Sequence, residues 1–125
     1  PWGVLRLGIC YDLRFPELFR LGPAPDFIAL PAAFTHTTGL AHWALLLRAR
    51  AVENLAFVFA SAQGGHHPGG RRTFGHSMII DPWGRILAQV EEGQGMAIAT
   101  LDLAAQRTVR SQLPALTHRK IAVGP

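Results

Sequence analysis

Residues 5–20, LRLGICYDLRFPELFR, carry the only cysteine of this 125-residue chain. The apolar, β-prone run at 4–10 predicts a strand that ends at Cys10, and the charged, turn-prone segment 11–14 follows it directly. A side chain at the end of a strand is held by the sheet and faces loops, where binding and catalytic groups are commonly found. A lone cysteine is more often a small buried hydrophobic residue, but this position favours a nucleophile.

The rest of the chain predicts alternating helices and strands. Apolar residues recur at helical spacing in 15–21, 40–55 and 103–113, and apolar runs predict strands at 26–31, 56–62, 76–81, 85–90 and 96–102. The Gly- and Pro-rich segment 63–73 is expected to be a loop, and Pro82-Trp83-Gly84 a hairpin-type connection. This order favours one α/β domain, because continuous apolar strands need cover on both faces of a sheet.

Composition excludes several classes of protein. No apolar run reaches the roughly 18 residues of a membrane-spanning helix, so no membrane partner is expected. One cysteine cannot form a disulfide within the chain, so a reducing, cytoplasmic location fits best. His66-His67 lack a third ligand in a metal-binding spacing, so no metal is expected.

The charge and the apolar content indicate how the surface is used. The formal net charge of +4 comes from arginines spread along the chain, which indicates solvated surface charge and no nucleic-acid partner. Hydrophobic residues make up 49% of the chain, an excess that predicts an apolar surface covered by further sequence or by a partner subunit.

Five motifs occur in one order along nearly the whole chain. They are CYDLRFPE (10–17), LPAAF (30–34), TTGLAHW (37–43), LLRARAVEN (46–54) and GHSMIIDPWGRI (75–86). Together they resemble the nitrilase superfamily of carbon–nitrogen hydrolases, and most closely its branch of deaminated glutathione amidases, with the omega-amidases next. The resemblance implies an α-β-β-α sandwich, of which this chain looks like the C-terminal half.

The resemblance also implies a mechanism without cofactor or metal. Cys10 attacks an amide carbonyl and forms a thioester, while the backbone N–H of Tyr11 helps to bind the oxyanion. A Glu general base and a Lys complete the family's catalytic trio, and both precede the cysteine by a long way. Only nine residues precede Cys10, and none is Glu or Lys. We therefore expect residues 1–125 to be a partial domain that is inactive by itself.

Other residues are assigned to the site by the same resemblance or by their position. The arginine that matches Arg14 pairs with a substrate carboxylate in related amidases and carbamoylases; a structural salt bridge to Asp12 or Glu17 is the alternative. Phe34 and Thr35 follow a strand and are expected at the rim of a substrate pocket, although such polar residues also cap helices.

Two carboxylates are expected to support the site rather than to react. Glu17 and Glu53 are predicted to hold Arg14, Arg48 or Arg50, because a carboxylate in an apolar helix is costly unless it is paired.

Three hypotheses remain open from the sequence. The favoured one is an amidase that acts on a small, carboxylate-bearing amide and forms a homodimer or larger homo-oligomer through the helix at 40–55. The second is a Cys–His thiol hydrolase, in which His42, His66, His67 or His76 activates Cys10. The third is a non-catalytic binding or assembly remnant.

Overall fold

The computed structural model describes residues 2–121, which form seven strands. These are β1 (Leu5–Leu7), β2 (Phe27–Ala32), β3 (Phe57–Ala62), β4 (Gly64–His66), β5 (Arg72–Phe74), β6 (Ser77–Ile80) and β7 (Ile86–Val90). Five of them form one mixed sheet in the order β1-β2-β3-β6-β7. β1, β2 and β3 run parallel, whereas β6 and β7 are antiparallel to their neighbours. β4 and β5 form a separate antiparallel hairpin.

The helices lie between these strands and after the last one. The short 3-10 helices Cys10–Arg14 and Pro16–Arg20 follow β1. After β2 come α1 (His36–Thr38), a π-helical turn (Gly39–Trp43) and α2 (Ala44–Asn54); after β7 come α3 (Leu103–Gln112) and α4 (Ala115–His118). β1 and β2 are therefore each followed by a helical connection to the next parallel strand, as a β–helix–β unit requires, whereas β3 leads directly into the β4–β5 hairpin.

One face of the sheet forms the hydrophobic core. Ile28, Val58 and Ile80 lie side by side across three strands and are each at most 1% exposed. Leu47 and Trp43 pack onto this face from the helical side and are fully buried. Because the 3-10 helices after β1 contribute Leu13 and Phe19 to the same cluster, the segment that carries Cys10 is packed directly onto the core.

The opposite face of the sheet is also apolar but is largely open in the described chain. Leu5 and Leu7 are 55% and 65% exposed, and Phe27, Ala29 and Phe59 continue their face. Trp2, Leu101 and Leu103 border the same broad depression. This surface contributes to the high apolar content, and the described residues supply one five-stranded sheet with its helices.

Most of the predicted elements are confirmed, with shifted ends. The helix predicted at 40–55 starts earlier, at α1, and passes through the π-helical turn before α2. Gly39 lies in that turn because a Cβ there would come within 2.3 Å of the Phe74 side chain. The strand predicted at 4–10 is only Leu5–Leu7, since its pairing with β2 ends at Ala29.

Two predictions of secondary structure are wrong. Most of the expected loop at 63–73 belongs to the hairpin of β4 and β5. The sequence of β4 shows no hydrophobic alternation, because it is Gly-Gly-His and all three residues are exposed. The strand predicted at 96–102 is not a strand, since these residues pair with no neighbour in the described chain. An apolar run forms a strand only where a partner supplies the hydrogen-bond ladder.

The helix α3 is fastened to the start of β2 and to the end of α2 by polar side chains. Arg110 donates to the Asp26 carboxylate (2.6 Å) and to the carbonyls of Pro25 and Leu55 (2.5 and 3.0 Å). Gln106, which is buried, donates to the carbonyls of Asp26 and Leu55. The Leu55 carbonyl needs these donors because α2 has ended there with a left-handed residue (φ 46°).

We expect Arg110→Met to lower the free energy of unfolding by about 1–3 kcal/mol, because it leaves half-buried acceptors without their charged donor. Arg107→Met is the matched control: it lies on the same helix, is exposed, and makes no side-chain hydrogen bond in the described chain. Urea denaturation of both variants measures the difference. Equal stability of the two variants would contradict the fastening role of Arg110.

Candidate active site

Cys10 is the first residue of the 3-10 helix Cys10–Arg14, in a tight turn three residues after β1 ends. Its φ is +47°, a left-handed conformation that costs an L-residue about 1–2 kcal/mol and persists only where the surroundings enforce it. The backbone just before the turn packs closely against the Phe19 ring, since a Cβ on Gly8 would come within 2.9 Å of that ring. Cys10 is half-buried and is a free thiol at the edge of the core. The prediction placed Cys10 at the end of a strand, whereas β1 ends at Leu7 and Cys10 follows three residues later in the 3-10 helix.

Asp12 holds the first part of the turn. Its carboxylate accepts the backbone N–H of Ile9 (2.8 Å), and its own N–H donates to the Ile9 carbonyl (3.0 Å). This reciprocal pair closes a ring around Cys10 and satisfies groups that the short helix leaves without partners. Asp12 is not among the site residues predicted from the sequence, although an acid two residues after the predicted strand end is a common turn signal.

The backbone N–H of Tyr11 is free to donate. No described residue accepts a hydrogen bond from it, so the proposed oxyanion donor is unoccupied by protein atoms. The Tyr11 ring is 65% exposed and meets the edge of Phe15 at a centroid distance of 5.4 Å. The ring is therefore available at the surface beside Cys10, and the backbone N–H expected to bind the oxyanion has no acceptor in the described chain.

Arg14 lies at the end of the same 3-10 helix and is half-buried. Its guanidinium carbon is 5.2 Å from the centroid of the Phe34 ring, and Nη1 and Nη2 both lie 3.4 Å from Nδ1 of His42. Because a guanidinium only donates, Nδ1 of His42 acts as the acceptor in this contact. Neither Asp12 nor Glu17 forms an ion pair with Arg14 in the described chain, which goes against the salt-bridge alternative.

Phe34 contacts Arg14, whereas Thr35 contacts Thr38. Phe34 is only 5% exposed and packs against the Trp43 ring at 5.1 Å, so it supports Arg14 rather than lining an open rim. Thr35 is exposed, and its hydroxyl bonds to that of Thr38 at 2.6 Å instead of capping a backbone N–H. The β5 strand braces this loop, since the Phe74 N–H donates to the Phe34 carbonyl.

The two carboxylates that were expected to support the site behave differently. Glu53 accepts a hydrogen bond from Arg50 at 2.8 Å, as one of the predicted pairings requires. Glu17 is exposed and forms no ion pair with an arginine in the described chain, so the expectation that it holds Arg14, Arg48 or Arg50 is not met.

The histidines are engaged elsewhere than at the thiol. Within residues 2–121 no histidine nitrogen forms a hydrogen bond with Sγ of Cys10. His76 donates from Nδ1 to the Phe74 carbonyl (2.8 Å), and His67 contacts the Thr73 hydroxyl (2.7 Å). This part of the chain also holds no cluster of three or more His, Cys, Asp or Glu that could bind a metal. The Cys–His hypothesis therefore has no geometric support.

Comparisons with known proteins agree with this site and this fold. The family model described as carbon-nitrogen hydrolase matches residues 1–111. A deaminated glutathione amidase of Synechocystis sp. is 52% identical over 120 residues, which are 94% of this chain and 44% of that protein. The crystal structure of Saccharomyces cerevisiae Nit3, a member of branch 10 of the nitrilase superfamily, has a TM-score of 0.85 and 36% identity, covering 94% of this chain and 44% of Nit3.

A third comparison concerns the cysteine. A mutant of the amidase from Nesterenkonia sp. AN1 is similar with a TM-score of 0.75 and 28% identity, covering 93% of this chain and 41% of that one. That structure shows covalent addition of the acetamide moiety of fluoroacetamide at its active site cysteine.

A polypeptide with this sheet, this cysteine turn and these relatives belongs to the carbon–nitrogen hydrolase family, within the nitrilase superfamily. The predicted family and the predicted α/β fold of the nitrilase type are thereby confirmed. The chain spans less than half the length of the relatives it matches. None of the helices in residues 2–121 has the length and apolar character needed to cross a bilayer.

We expect Asp12→Ala to destabilise the turn by about 0.5–2 kcal/mol, the range measured for loss of a side-chain cap. Because Cys10 then relaxes from its left-handed conformation, its alkylation by iodoacetamide should change in rate as well. Asp12→Asn keeps an acceptor oxygen for the Ile9 N–H and should retain most of the stability. A melting temperature and an alkylation rate for each variant test this, and an Asp12→Ala protein that matches the wild type in both would contradict it.

Proposed function

We propose that the protein containing this chain hydrolyses the amide bond of a small, carboxylate-bearing substrate through a thioester on Cys10. The observation that carries the proposal is the left-handed turn that places a free thiol next to a free backbone N–H, that of Tyr11. A nucleophile and an oxyanion donor on adjacent residues are the arrangement that acyl transfer requires.

The reaction takes two steps. The Cys10 thiolate attacks the amide carbon, a C–S bond forms, and the carbonyl electrons move to the oxygen, which the Tyr11 N–H stabilises. The C–N bond then breaks and the amine leaves with a proton. In the second step water attacks the thioester, the carboxylic acid is released and Cys10 returns to its thiol form. The thiol needs a base in the first step, because an ordinary thiol is mostly protonated at neutral pH.

The base lies outside residues 1–125 in this proposal. No carboxylate or imidazole in the described chain forms a hydrogen bond with Cys10 Sγ. A Glu as general base and a Lys at the oxyanion, as in the family's catalytic trio, complete the site from elsewhere in the protein. Residues 1–125 then act as the half that supplies the nucleophile, the oxyanion donor and Arg14.

The substrate class follows from Arg14. Its guanidinium is half-buried, lies over the Phe34 ring, and has no carboxylate partner in the described chain. A substrate carboxylate would supply two charge-assisted hydrogen bonds in place of the long contacts to His42. Since the relative from Synechocystis is a deaminated glutathione amidase, deaminated glutathione is the first substrate to test.

The assembly and the compartment belong to the same proposal. Leu40 and Leu45 are each 66% exposed on the helical segment that ends in α2, and Val52 is 44% exposed further along it. We propose that this side of α2 forms the contact of a homodimer, the commonest assembly of soluble proteins. A reducing compartment such as the cytoplasm keeps Cys10 as a thiol.

We expect the native-length protein to accumulate an acyl adduct on Cys10 when it is mixed with deaminated glutathione and quenched rapidly. Intact-protein and peptide mass spectrometry measure the adduct and locate it. Cys10→Ala should lose both the adduct and turnover, whereas a control substitution at the exposed Tyr11 ring, Tyr11→Phe, should keep both. Turnover by Cys10→Ala would exclude the cysteine mechanism and favour a different function.

We expect Arg14→Met to lower kcat/KM for a carboxylate-bearing amide by about 10–100-fold, the loss that follows from removing a charged hydrogen-bond donor. Against a neutral amide of similar size the loss should be much smaller, because no carboxylate is then left unpaired. Arg85→Met is a control, since Arg85 is exposed and pairs with Asp81 at the distant β6–β7 turn. Equal losses on both amides would contradict the carboxylate role of Arg14.

A further inference from the structure

We propose that Arg50, on α2, is a positioning residue that holds the Cys10 turn in its reactive form by binding the Leu13 carbonyl. The inference rests on the proposed function of Cys10 and adds a residue that the family resemblance did not assign. It starts from the Leu13 carbonyl, which has no backbone N–H donor in the described chain.

The Leu13 carbonyl has no backbone donor. In a 3-10 helix it would accept the N–H of the residue three positions later, but that residue is Pro16, which has none. The N–H of Glu17, one position further, donates to no described backbone acceptor outside its own helix. The end of the cysteine turn therefore presents an orphan carbonyl, and Leu13 is fully buried. A buried carbonyl without a donor destabilises the conformation that contains it.

Arg50 supplies the missing donors. Its Nε and Nη2 donate to the Leu13 carbonyl at 3.0 and 2.7 Å, and the residue is only 4% exposed. Its remaining nitrogen, Nη1, donates to Glu53 at 2.8 Å, and the guanidinium carbon lies 5.9 Å from the Phe19 ring centroid. Each nitrogen of the guanidinium thus has a partner, which fixes the side chain in one orientation.

The two bonds from Arg50 to the Leu13 carbonyl, called the clamp from here on, act on Cys10 through a very short stretch of backbone. The 3-10 helix has five residues and begins with Cys10. Asp12 accepts the Ile9 N–H just before this helix, and Arg50 donates to the Leu13 carbonyl near its end. The left-handed Cys10 therefore lies between two backbone groups that are held by hydrogen bonds. Without the bonds from Arg50 to the Leu13 carbonyl, the turn can relax to an ordinary backbone conformation. The thiol and the Tyr11 N–H then lose their mutual geometry, and displacements of about 1 Å at a reacting group lower rates by about 100-fold.

The same helix offers a matched control. Arg48 lies two residues before Arg50 and donates from Nε to the Gly84 carbonyl at 2.7 Å. This bond also joins an arginine of α2 to a loop carbonyl, but the loop is the β6–β7 turn rather than the Cys10 turn. Arg48→Met therefore removes an arginine–carbonyl bond of the same helix, from a more exposed side chain, without touching the segment 9–14.

The test compares Arg50→Met, Arg50→Lys and Arg48→Met in the native-length protein. The measurements are kcat, KM, the melting temperature, and the rate at which iodoacetamide alkylates Cys10, followed on the Cys10 peptide by mass spectrometry. We expect Arg50→Met to lower kcat by about 100-fold with KM nearly unchanged, and to change the alkylation rate. Arg50→Lys keeps one cationic donor for the Leu13 carbonyl and should recover part of kcat. Arg48→Met should lower the melting temperature while kcat and the alkylation rate stay at the wild-type values.

The outcomes separate this inference from the proposed function. An Arg50→Met protein with wild-type kcat and alkylation rate overturns the positioning role, and so does an Arg48→Met protein that loses kcat to the same extent. Should Arg50→Met fail to fold, Glu53→Gln provides a milder release of the guanidinium, and unchanged kcat in that variant and in Arg50→Lys overturns the inference. Turnover by Cys10→Ala, in contrast, refutes the proposed function itself, while the alkylation rates still report on the clamp.

Discussion

The left-handed conformation of Cys10 is the constraint on which the rest of the site depends. An isolated peptide would leave this conformation at once, because it costs an L-residue about 1–2 kcal/mol. The fold enforces it from both sides, with Asp12 on the Ile9 N–H and Arg50 on the Leu13 carbonyl. Strain of this kind is stable only where neighbouring interactions outweigh it, and here one of those interactions, that of Arg50, is buried in the protein.

The core supports the end of the turn, because Leu13 is fully buried although Ile9 and Tyr11 are exposed. Leu13 and Phe19 are fully buried against α2 and the sheet, and Gly8 lets the Phe19 ring approach the backbone before Cys10. The parallel strands β1 and β2 fix where the turn begins, since their pairing ends at Ala29. The proposed chemistry at Cys10 and the stability of the described chain thus depend on the same contacts.

The sequence could predict what depends on local pattern. The strand before the cysteine, the long helix before Asn54 and the β6–β7 hairpin all have strong local signals, and the structure contains them. What it could not predict depends on pairing across the fold. The segment 96–102 has the composition of a strand but lacks a partner in the described chain, whereas β4 is a strand made mostly of glycine.

The same division holds within the site. Arg14 and Glu53 could be singled out from the sequence, since a charged residue in an apolar setting needs a reason. The pairing of Glu53 with Arg50 was one of the predicted alternatives, whereas the partner of Arg14 could not be predicted. Arg14 faces His42, 28 residues away, and Arg50 reaches Leu13, 37 residues away. The need for a donor such as Arg50 can nevertheless be inferred from the local sequence, because Pro16 lacks the N–H that the Leu13 carbonyl would otherwise accept.

The surroundings of Arg14 show why a nearby acid does not neutralise it. Asp12 is two residues away, but its carboxylate is committed to the Ile9 N–H, and Glu17 is exposed. The guanidinium instead meets His42 Nδ1 at 3.4 Å, a long contact to a neutral acceptor. A carboxylate forms shorter and stronger bonds with such a fork. An incoming substrate carboxylate would therefore replace weak contacts with strong ones, whereas a preformed salt bridge would have to be broken first. The turn that strains Cys10 also keeps Asp12 away from Arg14, so one short segment prepares both the proposed nucleophile and the proposed receptor for the substrate's charge.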